Sequence, residues 1–507
     1  MTDQVTSGAA RDQTDSARDI AVIDIGSNSV RLVQFRVEGG AVLPVYNEKV
    51  MAGLGIGVRD TGKLDRDGRL TARRAITRFQ RLLDARGVSA RFFVATAAVR
   101  EASDGADFVA DIAEQTGAVI RVLSGVEEAE LSALGLVTGI PGAHGVTGDL
   151  GGSSLEFAGL DRGRMVSAVS LPLGPQEAMP EGAWNPERAR TEIDSRLQAA
   201  GDLSGRGGRF YAIGGAWRAL AQLAFLELDY PLHMVHEFCL PAEQVMMIAS
   251  NVARRGPADL AARPGLSKRR AANLPYAALL LERIVSMGGF SDVMFSAYGL
   301  REGVLAERMA ASGPVVDPLI AGAEALAAAS DSAAGFSRAL AAWCAPALKQ
   351  LDPAFDAGRD AILVEAAARL VDIGARLHPD HRADLARESV LYAPFAGISH
   401  AERAFLAATV HFRYGGRRRD LTAQPVFQLL DKQQCLIAEM LGISLRLAAK
   451  LSGRTADLLA RFEMRIDAGH VQLLVDEDVR DLYVERSVTL LTSLAKAIGR
   501  QPDIRFR

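Results

Sequence analysis

Two short stretches constrain this chain more than anything else in it: Asp24-Ile25-Gly26-Ser27-Asn28-Ser29 and Asp149-Leu150-Gly151-Gly152-Ser153-Ser154. Each follows a short apolar run with strand character, residues 20–25 and 146–150, and each precedes another, 30–37 and 154–157. A turn of glycine, hydroxyl and amide residues between two strands directs several backbone N–H groups to one side. Such a nest binds phosphate oxygens. Arg31 adds a charge to the first loop, and the glycines of the second permit close backbone approach to a ligand. Asp149 and Glu156 flank the second turn and can converge on one spot. They offer the hard oxygen ligands that Mg²⁺ takes together with substrate oxygens. Singly, each loop also reads as a polar hairpin turn with solvated acids. Two of them in one chain, both at strand ends, point to a pseudo-duplicated cleft. A third piece, Ala212 to Arg218, is a strand, the pair Gly214-Gly215, and a helix start of the kind that favours anions; alone it is a common pattern.

Around these loops the hydrophobic periods alternate. Residues 41–49 offer a third strand, 91–96 and 119–123 two more, with helices at 70–86, 107–116 and 127–137. In the first helix Leu70, Ala75, Ile76, Phe79, Leu82 and Leu83 fall on one face. A second α/β segment begins near Gly145, with strands at 165–171 and 210–213 and a helix at 217–226. Near Ala310 the composition changes to Ala, Leu and Arg with helical periodicity, which runs from 317 to 447. The strands 462–466 and 471–475, joined by Asp467-Ala468-Gly469-His470, form a hairpin pattern, and 482–498 is a closing helix. For 507 residues and ~100–200 residues per domain, the expected division is a disordered tail at 1–19, α/β units at 20–140 and 141–310, a helical domain at 311–452 and a small α/β subdomain at 453–507.

A formal net charge of −3 argues against a protein that coats nucleic acid. It leaves room for a polyanionic substrate held by local clusters, of which Lys268-Arg269-Arg270 and Arg417-Arg418-Arg419 are two; either is also readable as a solvated face. Cys239, Cys344 and Cys435 are isolated, as expected for buried thiols in a reducing cytoplasm. No apolar run reaches the ~18 residues of a membrane span. The polar N-terminal tail lacks the apolar core of a signal peptide.

Five segments, in order, resemble the exopolyphosphatase / guanosine pentaphosphate phosphohydrolase (Ppx/GppA) family: Asp24-Ile-Gly-Ser-Asn-Ser-Val-Arg31, Ala95-Thr-Ala-Ala-Val-Arg-Glu-Ala102, Leu123-Ser-Gly-Val-Glu-Glu-Ala129, Asp149-Leu-Gly-Gly-Ser-Ser-Leu-Glu156 and Gly299-Leu-Arg-Glu-Gly303. The resemblance implies an α/β actin-like (ribonuclease H-like) two-domain core with a cleft between its halves. It implies Glu128 as catalytic base, Asp149 and Glu156 as organisers of Mg²⁺ (or Mn²⁺) and water, and Arg100 as a phosphate contact. It further implies a homodimer that hydrolyses inorganic polyphosphate or guanosine pentaphosphate (pppGpp). Three departures each remove a polar or charged candidate: Ala97 for a usual Ser, Ala216 for a usual Thr, and Met51-Ala52-Gly53 for Arg-Leu-Gly.

In this reading Glu128, at the start of a helix after Ser124-Gly125, accepts a proton from water, and Glu127 is the helix-start acid favoured by the dipole. The first loop with Arg31 and Arg100, Gly151 to Ser154 and Gly214-Gly215 cradle terminal phosphates, and Lys268, Arg269, Arg417 and Arg418 line a path for the chain. Leu370-Val371-Asp372-Ile373-Gly374 looks like the core of an HD phosphohydrolase with its His replaced by Val, with His378, His381, His400 and His411 nearby in sequence. That favours a degenerate domain for channelling or dimerisation over a second active site. The competing classes are an actin-fold kinase, which needs an acceptor-activating Asp, and a non-catalytic sensor of ppGpp-type alarmones or polyphosphate, which has no use for the acids.

Overall fold

The run Arg18–Ile25 becomes the central strand of a sheet because both its faces can be covered: Ala21, Val22 and Ile23 are wholly buried. The structure is a computed structural model and describes residues 18–179, 183–198, 208–262, 268–309, 316–328 and 335–507. Most of the tail expected at 1–19 lies outside these, and Arg18 and Asp19 already belong to β1 (Arg18–Ile25). β1 pairs antiparallel with β2 (Val30–Glu38), which pairs antiparallel with β3 (Ala41–Val50). On its other side it runs parallel to β4 (Ala90–Ala95), followed by β5 (Ile120–Val122). Helix α1 (Arg66–Ala85) packs on this sheet through Ala72, Ala75, Ile76, Phe79 and Leu83. Leu70, expected on that face, is exposed; it precedes Ala72 by two positions and so lies on nearly the opposite side of a 3.6-residue turn. Helix α2 (Gly105–Thr116) completes the layer.

The second sheet repeats the plan. β6 (Gly145–Leu150), β7 (Leu155–Asp161) and β8 (Arg164–Leu171) form an antiparallel meander. β9 (Arg209–Gly214) runs parallel to β6, and β11 (Asp292–Phe295) parallel to β9, with β10 (Phe238–Pro241) added at the edge. Read outward from the hairpin, both sheets begin third–second–first–fourth strand; β5 then follows in the first sheet, and β11 and the edge strand β10 in the second. This duplication is the expected actin-like fold. β10 and β11, four residues each, carry too short a pattern to be read from sequence.

Two helices link the halves. α3 (Gly125–Gly139) leads from the first unit into the second, α4 (Gly215–Glu227) follows β9, and α5 (Leu300–Met309) packs back against α3. α3 and α5 touch backbone to backbone: a Cβ at Gly303 would lie 1.7 Å from the Leu131 carbonyl oxygen, and one at Gly135 2.0 Å from that of Gly299.

Beyond Pro318 the chain is helical, as expected. Its core includes Leu363 and Ala367 of α6 (Ala357–Arg369), Leu406 and Val410 of α7 (His400–Arg413) and Leu441 and Leu445 of α8 (Lys432–Leu451). The same core takes in Phe462, Val471 and Leu473 of the predicted hairpin, β12 (Phe462–Ile466) and β13 (His470–Val475). The closing helix is α9 (Glu485–Ala497), preceded by a 3₁₀ turn over Glu477–Leu482. An unexpected strand, β14 (Gln501–Phe506), runs parallel to β13. The helical region docks on the α/β units through polar contacts: Gly397 N–H donates to Gly139 O (2.7 Å), Ile398 N–H donates to Glu237 (2.8 Å), and the ring nitrogens of His400 meet Tyr230 Oη (2.9 Å) and His236 O (3.0 Å). Cys344 is buried while Cys239 and Cys435 are half-buried, all three free. Among the described residues no helix is long and apolar enough to cross a membrane.

Candidate active site

The two glycine turns close in the same way. Gly26 N–H donates to Ser29 O and Gly151 N–H to Ser154 O, each at 3.0 Å. Strand register then sets Asp24 opposite Arg31 in one hairpin and Asp149 opposite Glu156 in the other. The duplicated frame thus offers an acid and a cation in one half and two acids in the other. The turns meet: Ser153 Oγ donates to Ser27 Oγ (2.9 Å), and Gln176 Nε2 to Asn28 Oδ1 (2.7 Å). Between them lies a cleft of about 620 Å³ lined by Asp24, Gly26 to Ser29, Arg31, Gly151, Gly152, Ser154, Gly214 and Gly215. Ser153, expected among the phosphate contacts, is instead buried in the contact with Ser27 and does not line the cleft. Gly214 is at φ +113°, and a Cβ there would sit 2.5 Å from Leu150 O, so the β9–α4 turn requires glycine.

Glu128, Asp149 and Glu156 all face this cleft, together with Asp24. The first turn of α3 orients Glu128. Ser124 Oγ accepts from Glu127 N–H (3.2 Å) and Ser124 N–H donates to Glu127 (2.8 Å), a capping box that fixes the turn. Glu127 is spent there and on Arg121, which hold its carboxyl down to about 2. Burial pushes Glu128 up to about 8 against the pull of Arg100, with Asp149 and Asp24 adding to the rise. Asp24 and Asp149 are also raised, chiefly by burial, and Glu156 is raised well above the carboxylate range by burial and by Glu128. Hydroxyls steady two of them: Ser132 Oγ donates to Asp149 Oδ2 (2.6 Å) and Ser170 Oγ to Glu156 (2.9 Å).

Cations face the acids. Burial brings Arg31 down to about 10, helped by Arg301 and Arg218. Those two arginines, with Lys49, also line the cleft, and sequence reasoning assigned none of them a role. Arg301 approaches Asp24 at 3.9 Å, and its buried Nε has no hydrogen-bond partner in the protein. Its signal was present in Gly299-Leu-Arg-Glu-Gly303, where Glu302 accepts from Gly299 N–H (3.0 Å) and caps α5 so that Arg301 enters the cleft. Arg218 is in the first turn of α4 after the glycine pair. The three departures from the family pattern are felt here too, since Met51, Ala97 and Ala216 are all in the lining.

Arg100 differs from expectation. It is not in the cleft lining: its Nη1 donates to Leu123 O (2.9 Å) and Glu128 (3.1 Å), and its Nη2 meets Glu101 (3.3 Å). It holds the acid rather than reaching the phosphate space. Nor do Arg417 and Arg418 join the site. Arg418 pairs with Glu439 on the surface, and Arg417 caps a short helix with Asp420. Lys268 and Arg269 begin the helix Lys268–Gly288, and their side chains lie outside the described residues. The four histidines near the HD-like segment do not converge. His378 and His381 are exposed, His400 is in the docking contact, and His411 is buried beside Arg417 O (3.3 Å).

The donor set suits a hard divalent cation. Four carboxylates, Glu128 and Glu156 buried and Asp24 and Asp149 half-buried, crowd one cleft, and a cation among them would offset their mutual repulsion. Among the described residues no three His, Cys, Asp or Glu side chains stand close enough to hold a metal by themselves. One or two carboxylates, with water and phosphate oxygens completing the shell, is how Mg²⁺ is usually bound.

Two acid–glycine hairpins facing each other across a cleft of carboxylates and guanidinium groups define an actin-like protein built to handle phosphates. The chain belongs to the Ppx/GppA phosphatase family, whose profile matches residues 32–312; that of the exopolyphosphatase C-terminal region matches 319–504. It is 27% identical over 310 residues to exopolyphosphatase 1 of Mycobacterium leprae, covering 57% of this chain and 89% of that one. It is 28% identical over 298 residues to an uncharacterized protein of Streptomyces coelicolor, covering 56% and 88%. In fold it is similar to the Ppx/GppA family member of Aquifex aeolicus (TM-score 0.52, 23% identity, 59% of this chain and 100% of that one). It is also similar to an exopolyphosphatase of Cytophaga hutchinsonii (TM-score 0.54, 22% identity, 58% and 99%).

Proposed function

We propose that the protein releases terminal orthophosphate from inorganic polyphosphate, with Glu128 as general base. The observation that carries this reading is the meeting of Glu128, Asp149 and Glu156 with Arg31, Arg218 and Arg301 in one cleft floored by two phosphate-nest turns. The name carried by the Mycobacterium leprae relative supports polyphosphate as the substrate. Hydrolysis of a phosphoanhydride requires an aligned water, charge neutralisation and positioning. The turn amides of Ser27 to Ser29, Gly152 and Ser154, with Arg31, Arg218 and Arg301, take the terminal phosphates. Glu128 accepts the water proton as the water oxygen bonds to the terminal phosphorus, the bridging P–O bond breaks, and orthophosphate leaves a chain one unit shorter. Arg100 opposes the rise of Glu128 and aims its carboxylate. Asp149 and Glu156 would hold Mg²⁺ (or Mn²⁺), which when bound neutralises phosphate charge and orders water.

Glu128→Gln keeps the shape and removes the base, so kcat should fall by ~10²–10⁴-fold while polyphosphate binding persists. The measurement is orthophosphate release from defined polyphosphate and, side by side, from pppGpp. A near-wild-type rate rejects Glu128 as base, and faster turnover of the nucleotide transfers the proposal to pppGpp phosphohydrolysis. No release from either, with binding retained, makes the protein a sensor.

A further inference from the structure

Ser132 stands in the middle of α3, 1% exposed, and the proposed chemistry gives it no part. A hydroxyl inside a helix commonly turns back to the carbonyl four residues earlier or points to water. Ser444 of α8 and Thr409 of α7 turn back, donating to Met440 O (2.8 Å) and Phe405 O (2.9 Å). Ser132 instead donates out of its helix, to Asp149 Oδ2 on β6 at 2.6 Å. A hydroxyl has one proton to give, so this one is committed to the acid. Burial raises Asp149, and the Ser132 bond is the first of the contacts that lower it.

The place of Ser132 on the helix gives that bond a consequence. Glu128, Ser132 and Gly135 are separated by four and three residues and so fall on one stripe of α3. Glu128 lines the cleft, Ser132 holds Asp149, and Gly135 lies against the Gly299 carbonyl, where the chain enters α5 and leads to Arg301. Asp149 Oδ2 is confined from that side as well: a Cβ at Gly299 would lie 3.4 Å from it and 2.7 Å from Ile213 Cγ2. One oxygen of Asp149 is therefore clamped where α3 and the start of α5 meet. Glu156 differs. It takes its hydroxyl from Ser170 of β8, which is not on the helix that carries Glu128.

We propose that Ser132 is a positioning residue for the divalent cation: by holding Oδ2 it offers the other oxygen of Asp149 to the cation, in register with Glu128 one turn earlier on the same helix. The inference rests on the reading that Asp149 holds the cation. A group that orients a ligating carboxylate is worth ~10–100-fold in metal affinity. Ser132→Ala takes away the hydroxyl and leaves the charge of Asp149 in place, but the carboxylate can then turn about its last bond.

The test is Mn²⁺ binding to the full chain, followed by electron paramagnetic resonance of the free ion, in wild type, Ser132→Ala, Ser132→Cys and Asp149→Asn. The Mn²⁺ dissociation constant should rise by roughly tenfold or more in Ser132→Ala. Ser132→Cys, a near-isosteric but weaker donor, should fall between it and wild type, and Asp149→Asn should lose the binding event. The Mg²⁺ concentration giving half-maximal orthophosphate release should rise in Ser132→Ala, and added Mg²⁺ should recover most of the lost rate. A packing role predicts a rate that stays low at saturating Mg²⁺, and that result overturns the inference. Wild-type Mn²⁺ affinity in Ser132→Ala, beside its loss in Asp149→Asn, also overturns the inference and leaves the reading of Asp149 standing. Wild-type affinity in both variants, or no Mn²⁺ binding by wild type, overturns the two together.

Discussion

Arg100 shows how one side chain's partner decides what it does. A phosphate-contacting arginine and an arginine that orients a base look the same in sequence, because each is a lone cation on a short helix after a strand. In space Arg100 donates to Glu128 and to the backbone of Leu123, outside the cleft lining. Its charge opposes the burial that raises Glu128. Removing it in Arg100→Gln should therefore raise the Glu128 pKa further and move the acid limb of the kcat/KM profile to higher pH. A drop in kcat of ~10-fold or more, with little change in KM, should accompany the shift. A phosphate-binding Arg100 would instead raise KM and leave the limb in place. The same reasoning explains why Arg218 and Arg301 escaped notice in the sequence. Each is a single cation in the first turn of a helix, and only the topology brings both to the mouth of two hairpins lying far away in the chain.

The elements that carry the site were largely visible in the sequence. The two hairpins show as short apolar runs around glycine turns, and α1 follows a 3.6-residue pattern. Gly303, however, stood in the sequence as part of a family motif without a reason. The reason is the crossing of α3 and α5, where backbone meets backbone and a single methyl would lie 1.7 Å from a carbonyl oxygen. Gly303→Ala should cost about 3 kcal/mol or more, because rigid backbone lies on both sides and the clash cannot relax into a side chain. The measurement is the denaturant midpoint at unchanged slope. Loss of less than ~1 kcal/mol would mean the helices slide apart freely. What stayed illegible was short or unpatterned. β10 and β11 hold four residues each, and β14, with Pro502, Asp503 and Arg505, looks like a charged tail until β13 offers it a parallel edge. Leu70 was assigned to the wrong face because periodic fits tolerate one misfit near a helix end.

At the scale of the whole molecule the cleft is a place where the fold gives up stability. Asp24, Glu128, Asp149 and Glu156 are all raised above their ordinary values, with burial the leading cause for each. For an acid raised on folding, the favourable contribution is complete below its unfolded pKa and disappears as pH climbs through its folded one. Glu128, at about 8, spans the window from the ordinary carboxylate range up to pH 8. Glu128→Gln removes that titration and also relieves Glu156, so the variant should gain stability over wild type as pH rises from 5 to 8, by on the order of 2 kcal/mol. Chemical denaturation of both proteins at the two pH values, without divalent cation, measures it. A stability difference that does not change with pH would mean that Glu128 is solvated and ionised throughout, and the cleft would then lack the raised base on which the hydrolytic reading depends. The expected result couples two properties in one residue: the substitution that abolishes proton abstraction also relaxes the crowd of carboxylates. Natural sites of this kind trade stability for activity. Adding Mg²⁺ with a non-hydrolysable diphosphonate should narrow the gap between wild type and variant at pH 8, because a bound cation stabilises the ionised acids of the wild type more than the neutral amide of the variant.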